Sequence, residues 1–307
     1  MMKKKFKKIG IIILMILILG CGKEVKSNEN SREKISVVVT TTMLGDLAKE
    51  IGGNKINLKV LMNPGVSPHS YQPKLSDTKN IMEGDLLIVN GLYLEGKMEQ
   101  CLKNLDRNKI LVVGDKIDKK DLILMESGEY DPHIFLSIKL WKNAANILEK
   151  RFIQIDKANK KYYEQSKDKY IEKLNELDKY AKEQLDKVEN SKKIIVTSHR
   201  AFNYFAKDYC FKTNYVKGIS SESEVGVSKI NKLIVYLKEN KIRTIFLENS
   251  TSQNILDIII EGSKKNNWNV EIGGKLYVGS LGDKESGADT YIKYYKKNID
   301  TIVKGLI

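Results

Sequence analysis

This 307-residue chain contains only three histidines, and their residue type and spacing suggest a chemical role. His69, His133 and His199 are separated by 64 and 66 residues. Imidazole is the commonest protein ligand for transition metals such as zinc. These long separations exclude a compact zinc finger, whose ligands pair within a few residues. The histidines therefore predict one metal site, assembled from three distant segments of the chain.

The loops that carry two of these histidines are rich in proline. All four prolines of the chain fall near His69 or His133: they are Pro64, Pro68, Pro73 and Pro132. Because proline fixes φ, each loop should be stiff and should hold its histidine in place. Asp131, two residues before His133, either accepts a hydrogen bond that orients the imidazole or forms an Asp-Pro turn with no part in metal binding. Both interpretations stay open.

Residues 1–20 predict a secretion signal. Five lysines precede an apolar run at 11–19 that is too short to span a bilayer. The run ends in Ile18-Leu19-Gly20-Cys21, which resembles a bacterial lipobox and so implies cleavage before Cys21 and acylation of its sulfur. Residues 21–34 contain almost no apolar side chain and predict a flexible tether. We therefore expect a lipid anchor that holds the protein on the extracytoplasmic face of the cell membrane.

Net charge and cysteine content add few constraints. The formal charge of +14 falls to +9 once the five lysines of residues 1–20, which contain no acidic residue, are subtracted. Most of the surplus is lysine spread beside glutamate, as on ordinary solvated helix faces, so we expect no nucleic-acid partner. Cys101 and Cys210 fall in different halves of the chain, and we expect them to be buried apolar residues rather than a disulfide.

Apolar runs alternate with helical patterns in two parts of the chain, which predicts an α/β fold. The alternation starts at residue 35 and again at residue 194, and such βα repeats form parallel sheets covered by helices. We predict two similar lobes, an N-terminal α/β lobe at 35–156 and a C-terminal α/β lobe at 190–307. Each is long enough to bury a core of its own. The metal site would then lie in the cleft between them.

Residues 157–189 predict one long helix that joins the two lobes. The segment contains neither glycine nor proline, and its apolar positions recur at steps of three, four and seven, as on an amphipathic helix. These positions are Tyr163, Tyr170, Leu174, Leu177, Ala181, Leu185 and Val188. A coiled coil or a disordered charged linker is the alternative. A rigid helix of roughly 50 Å would limit lobe movement to small rotations.

Further motifs follow one another in a definite order along the chain: they occupy 63–73, 131–137, 198–205, 218–224, 245–248 and 288–291. Together with the lipobox, they resemble those of the metal-binding lipoproteins of bacterial zinc and manganese ABC importers, the TroA, PsaA and ZnuA family. The resemblance implies two α/β lobes flanking a long helix, with His69 and His133 from the first lobe, His199 from the second and the ion buried between them. It also implies a non-enzymatic, monomeric protein that delivers its metal to an ABC permease.

One position departs from the pattern of that family. Its members commonly carry an aspartate as a fourth ligand in the stretch that matches 276–282, and glycine stands there in this chain, at Gly279. Glycine has no side chain with which to bind a metal. The fourth ligand could therefore be water, Asp283 in a shifted loop, Glu248 reaching across, or nothing, and the sequence leaves these alternatives open.

The ligand set favours zinc as the bound ion. Three neutral imidazoles suit tetrahedral Zn²⁺, whereas Mn²⁺ prefers carboxylate oxygens and more ligands. We therefore expect a zinc-binding member of the family, with a manganese-binding member as the alternative.

Two other functions compete with metal transport. A three-histidine zinc hydrolase needs an open coordination position to activate water, but the chain has no HExxH motif and no further histidine to act as a base. Cell adhesion, which has been proposed for surface-exposed members of the family, is a third possibility that no residue tests.

Overall fold

The computed structural model describes residues 34–98, 102 and 105–307. The predicted signal and Cys21 lie outside the described residues. None of the helices described is long and apolar enough to cross a membrane.

The first half of the described chain contains four parallel strands in the order β2-β1-β3-β4. The strands are β1 (Ile35–Val39), β2 (Ile56–Val60), β3 (Leu86–Val89) and β4 (Ile110–Val112). Helices α1 (Thr42–Gly52) and α2 (Leu75–Glu83) provide the first two crossovers. Every residue of β3 is buried, as expected for a central parallel strand covered on both faces. Because all four strands run in one direction, their carboxyl ends meet at one edge of the sheet.

Two long helices follow this sheet in the chain. Helix α3 (Ile138–Ile155) begins at the cap Ser137, whose side chain accepts the Leu140 N–H. Helix α4 (Lys160–Leu185) is the long helix that the sequence predicts at 157–189, and at 26 residues it is shorter than predicted. Six of the seven predicted apolar positions lie in α4 and are buried, and the seventh, Val188, is buried just beyond its end, which confirms the amphipathic pattern. We did not predict α3, although its buried residues follow the same spacing.

The second half is also α/β, but its strands form two separate ladders. Strand β5 (Ile194–Thr197) pairs in parallel with β6 (Lys212–Tyr215), and β7 (Thr244–Glu248) pairs in parallel with β8 (Glu271–Leu276). Strands β5 and β7 lie side by side without pairing. The helices are α5 (Asn203–Tyr209), α6 (Val227–Glu239), α7 (Asn254–Lys265) and α8 (Tyr291–Leu306).

Cys210 does not behave as expected from the sequence. It is exposed and has a free thiol, and it adopts the left-handed conformation of the C-terminal cap of α5. Cys101 lies outside the described residues.

The largest hydrophobic core is shared by the two halves rather than divided between them. Helix α4 packs against α1, α3 and α8. The ring of Trp141 in α3 stacks on Tyr291 in α8 at 4.9 Å between centroids. Tyr291 Oη donates to Phe135 O at 2.8 Å, and Tyr295 Oη donates to Leu136 O at 2.9 Å. These contacts fasten the second half to the segment that follows His133.

Candidate metal site

The three histidines converge at the carboxyl ends of the strands. His69 lies in the loop after β2, His133 in the loop after β4, and His199 two residues after β5. All three are buried, and each offers a ring nitrogen within 4.8 Å of those of the other two. The Nε2 atoms of His69 and His133 are 3.3 Å apart. Among the described residues, no carboxylate or thiol belongs to this cluster.

His133 is oriented by Asp131. The Oδ1 atom of Asp131 accepts both the ring Nδ1–H of His133, at 2.8 Å, and its backbone N–H, at 2.9 Å. The other carboxylate oxygen accepts from Asn203 Nδ2 at 2.8 Å, across from the second half. Nδ1 is thereby occupied, and the lone pair of Nε2 points into the cluster. Of the two interpretations of Asp131, this geometry is that of the orienting acceptor.

His199 has a carboxylate behind it in the same way. Its Nδ1 lies 2.8 Å from Oε1 of Glu248, the buried last residue of β7, although the two atoms are not aligned as a hydrogen bond. The other oxygen of Glu248 accepts from Ser198 Oγ and, at 3.3 Å, from Thr251 Oγ1. Since Nδ1 and Nε2 lie on opposite sides of the ring, Glu248 faces away from the cluster. It supports His199 and does not take the fourth position.

Burial keeps the imidazoles of His69 and His133 neutral. It is the largest of the effects that lower the pKa of His69 to about 2, and the neighbouring His133 and His199 contribute in the same direction. Burial also lowers the pKa of His133, although Asp131 opposes the shift. For Glu248, burial raises the pKa, but the neighbouring His199 and the hydroxyl of Ser198 outweigh it and leave the pKa below its ordinary value. The site therefore combines the neutral imidazoles of His69 and His133 with an ionised carboxylate behind His199.

The loop after β8 contributes no carboxylate to the cluster. Gly279 has φ +77°, and a Cβ there would lie 3.0 Å from Pro68 Cδ, next to His69. A side chain at this position would thus meet the residue that precedes His69. Asp283, by contrast, is exposed, and its Oδ1 accepts the N–H of Ser286 in a surface turn. Of the alternatives for the fourth ligand, this arrangement favours neither Asp283 nor Glu248, and water or no fourth ligand stay open.

A cavity of about 250 Å³ connects His69 with the surface; its lining includes Leu92, Tyr93, Met125, Pro132 and Ile219. The loop after β3 forms one wall of this cavity. Two polar residues of that loop, Asn90 and Glu95, are buried close to the site and were not predicted. The sequence feature that could have indicated them is their position in the loop directly after a buried strand, at the edge of the sheet where the histidines meet.

Comparison with known proteins supplies the context for this site. The family described as "Zinc-uptake complex component A periplasmic" (ZnuA) matches residues 37–305. The chain is 33% identical over 299 residues to "Manganese-binding lipoprotein MntA" of Bacillus subtilis (strain 168), covering 97% of each chain. It is 30% identical over 271 residues to "Zinc-binding protein TroA" of Treponema pallidum (strain Nichols), covering 88% of each.

The fold agrees with that relationship. The solved structure of the periplasmic zinc-binding protein TroA from Treponema pallidum matches with a TM-score of 0.86 at 29% identity, covering 89% of this chain and 99% of that one. This match confirms the predicted α/β fold with two lobes and one long helix. The chain therefore belongs to the ZnuA family, the metal-binding proteins of zinc and manganese ABC importers, which are not enzymes.

Proposed function

We propose that this protein captures Zn²⁺ outside the cytoplasm through His69, His133 and His199 and delivers it to an ABC permease. The observation that supports the choice of ion is a buried cluster of three imidazoles with no carboxylate among the described ligand groups. Three imidazole nitrogens at about 2.0–2.1 Å and one water would complete a tetrahedral zinc site. Mn²⁺ would lack the oxygen ligands that it prefers.

The names of the relatives do not decide between the two metals, since MntA is named for manganese and TroA for zinc. The difference must come from the ligands of each chain. In this chain glycine stands at 279, against Pro68 in the loop that carries His69, and it offers no side chain to a metal ion. A manganese-binding function is the alternative, and it would require an oxygen-rich site that the described residues do not supply.

The remaining features of the proposal concern location and partners. A lipid on Cys21 would anchor the protein, and residues 21–34 would act as its tether. The folded part would work as a monomer that docks on the permease. Because the main core is common to both halves, closure around the ion would involve small rotations or loop shifts. The ion stabilises the closed state by binding it more tightly than the open state.

Metal analysis of the protein purified without added metals, followed by competitive titration with Zn²⁺ and Mn²⁺, tests the proposal. We expect zinc to be retained and to bind more tightly by a clear margin. Equal or tighter binding of Mn²⁺ would contradict it. The variant with all three histidines changed to alanine is the control, and it should bind neither ion.

A substitution at Gly279 tests the reason given for the preference. Gly279→Asp would place a carboxylate beside His69 and should raise the affinity for Mn²⁺ relative to Zn²⁺. Gly279→Asn is the matched control, because it has the same shape and a similar tolerance of positive φ but no charge. If both variants change the ratio equally, the carboxylate is not the cause.

Cell adhesion stays a prediction from the resemblance. The triple alanine variant tests it as well. Adhesion that persists in this variant would be an activity separate from metal capture.

A further inference from the structure

The peptide group between Pro132 and His133 is hydrogen-bonded at both ends. Pro132 O accepts from Asn90 Nδ2 at 3.0 Å, and the N–H of His133 donates to Asp131 Oδ1 at 2.9 Å. Fixing this peptide plane fixes the direction in which the His133 side chain leaves the backbone. Asp131 therefore controls the ring of His133 and one side of its backbone. The other side is held by Asn90 and by the N–H of Ile134, which donates to Pro132 O at 2.8 Å.

Asn90 is itself held by a buried carboxylate. Its N–H donates to Glu95 Oε1 at 2.8 Å, and the N–H of Gly91 donates to Oε2 at 3.1 Å. Thr40 Oγ1 also donates to Oε1, at 2.7 Å. Thr40 and Asn90 follow β1 and β3, two neighbouring strands, so Glu95 ties its loop to the edge of the sheet. Glu95 is 4% exposed and Asn90 is 1% exposed, so water competes little for these bonds.

The turn between Asn90 and Glu95 is strained. Gly91, Leu92 and Tyr93 have φ values of +76°, +55° and +63°, and the left-handed region is unfavourable for residues as bulky as leucine and tyrosine. Such a conformation persists only where its surroundings hold it. The carboxylate of Glu95, which accepts two N–H groups at the start of the turn, is the group that does so here.

The same loop forms a wall of the cavity that leads to His69. Leu92 and Tyr93 line that cavity together with Pro132. Further along, Lys97 lies 3.9 Å from Glu222 of the second half. One short segment thus contacts the backbone of a histidine, the path to the cluster and the opposite half of the protein.

We propose that Asn90 is a positioning residue for His133 and that Glu95 holds Asn90 in place, so that this part of the metal site is formed before the ion arrives. The inference rests on the proposed role of His133 as a ligand. Neither Asn90 nor Glu95 touches the metal. Their contribution is to keep Nε2 of His133 directed into the cluster without the ion.

Asn90→Ala removes the side-chain donor to Pro132 O and provides the main test. Co²⁺ serves as the probe, because its visible spectrum reports the geometry of its ligands, and Zn²⁺ competition gives the affinity. We expect Zn²⁺ affinity to fall by roughly 10- to 100-fold, the usual effect of losing a group that orients a ligand, together with an altered Co²⁺ spectrum. Wild-type affinity and spectrum in this variant would overturn the inference.

Asn298→Ala is the matched control for a loss of stability alone. Asn298 is also buried and also holds backbone, through Tyr277 N and O at 2.7 and 2.8 Å, in a loop that contributes no imidazole. We expect this variant to melt at a lower temperature than wild type while keeping the wild-type Co²⁺ spectrum. A spectrum altered as much as that of Asn90→Ala would show that the effect is not specific to His133.

His133→Ala separates this inference from the proposed function. A wild-type Co²⁺ spectrum in His133→Ala would contradict the ligand role itself. A lost spectrum in His133→Ala combined with an unchanged one in Asn90→Ala would overturn only the positioning role.

Two further measurements keep the test decisive if Asn90→Ala folds poorly. Glu95→Gln keeps the shape of the side chain but loses one acceptor oxygen, and it should shift the spectrum in the same direction by a smaller amount. In the metal-free wild-type protein, the backbone N–H of His133 should exchange with solvent slowly. Rapid exchange of that N–H would overturn the inference without any variant.

Discussion

Both halves of the protein place a carboxylate behind a histidine of the site, but the two carboxylates are held by different contacts. Asp131 lies behind His133 and Glu248 lies behind His199, each at 2.8 Å from Nδ1. Asp131 is also bonded to Asn203 of the opposite half, whereas the hydroxyls that donate to Glu248 come from its own half. The first half therefore presents a histidine locked across the interface, and the second half presents one supported only locally.

The sheets show the same contrast. Four strands of the first half form a continuous parallel sheet, and the loops after two of them carry His69 and His133. In the second half the ladder is interrupted between β5 and β7, the two strands whose ends carry His199 and Glu248. The distance between those two side chains is thus set by packing rather than by a shared strand ladder. We infer that the first half is the preformed side of the site and the second half the more adaptable one.

The largest effects should come from the histidines themselves. Changing His69, His133 or His199 to alanine leaves two imidazoles, which cannot hold zinc as three do. We expect each variant to lose more affinity for Zn²⁺ than the roughly 10- to 100-fold typical of an orienting partner, as measured by competition with a chelator. A single alanine variant with wild-type affinity would remove that residue from the site.

The carboxylates should come next, and they compare the halves directly. Asp131→Asn and Glu248→Gln keep the size of each side chain. Each removes the negative charge beside Nδ1 of one imidazole, His133 or His199, and so weakens the interaction that orients it. We expect each to lower Zn²⁺ affinity by roughly 10- to 100-fold, with the larger loss for Asp131→Asn because Asp131 also holds the backbone of His133. Equal losses, or a larger one for Glu248→Gln, would contradict the contrast between the halves.

A pH dependence of intermediate size should follow from His69. Its pKa is lowered to about 2 in the folded protein from an ordinary value of 6.5. Between these values the unfolded chain binds more protons than the folded one, so the free energy of unfolding falls as the pH falls below the higher value. The contribution of one such histidine is about 1.4 kcal/mol per pH unit.

Urea unfolding of the metal-free protein at several pH values measures this contribution. Wild type should lose stability more steeply than His69→Gln as the pH is lowered from neutral, and the difference should vanish above the ordinary histidine pKa. Parallel curves for the two proteins would show that His69 is not buried in its neutral form.

The smallest effect should come from the ion pair between the halves. Lys97 and Glu222 are 3.9 Å apart, with 44% and 48% of their side chains exposed, and exposed pairs contribute little. We expect Lys97→Met to change the free energy of unfolding by less than about 1 kcal/mol. A clearly larger change, measured by the same urea unfolding, would mean that this contact fastens the halves together.

The sequence predicts the parts of this structure that depend on residue type and local spacing. The four prolines near two of the three histidines indicated one shared site. The spacing of apolar residues indicated the buried face of α4. Parallel strands explain why residues so far apart meet, since their carboxyl ends share an edge.

What the sequence did not predict depends on contacts between distant segments. Glu248 lies 50 residues after Ser198, and no local pattern shows that it faces the Nδ1 atom of His199. The roles of Asn90 and Glu95 depend on a strained turn, which propensities disfavour. The shared core was missed because each half is long enough to bury a core alone. Contacts between distant residues, such as the packing of Trp141 on Tyr291, show that the two are joined.

A crystal structure of the zinc-loaded protein tests the central claim most directly. We predict a single ion bound by the Nε2 atoms of His69, His133 and His199 at about 2.0–2.1 Å, with water as the fourth ligand near Gly279. An ion bound elsewhere, or one of these imidazoles turned away from the ion, would contradict the account.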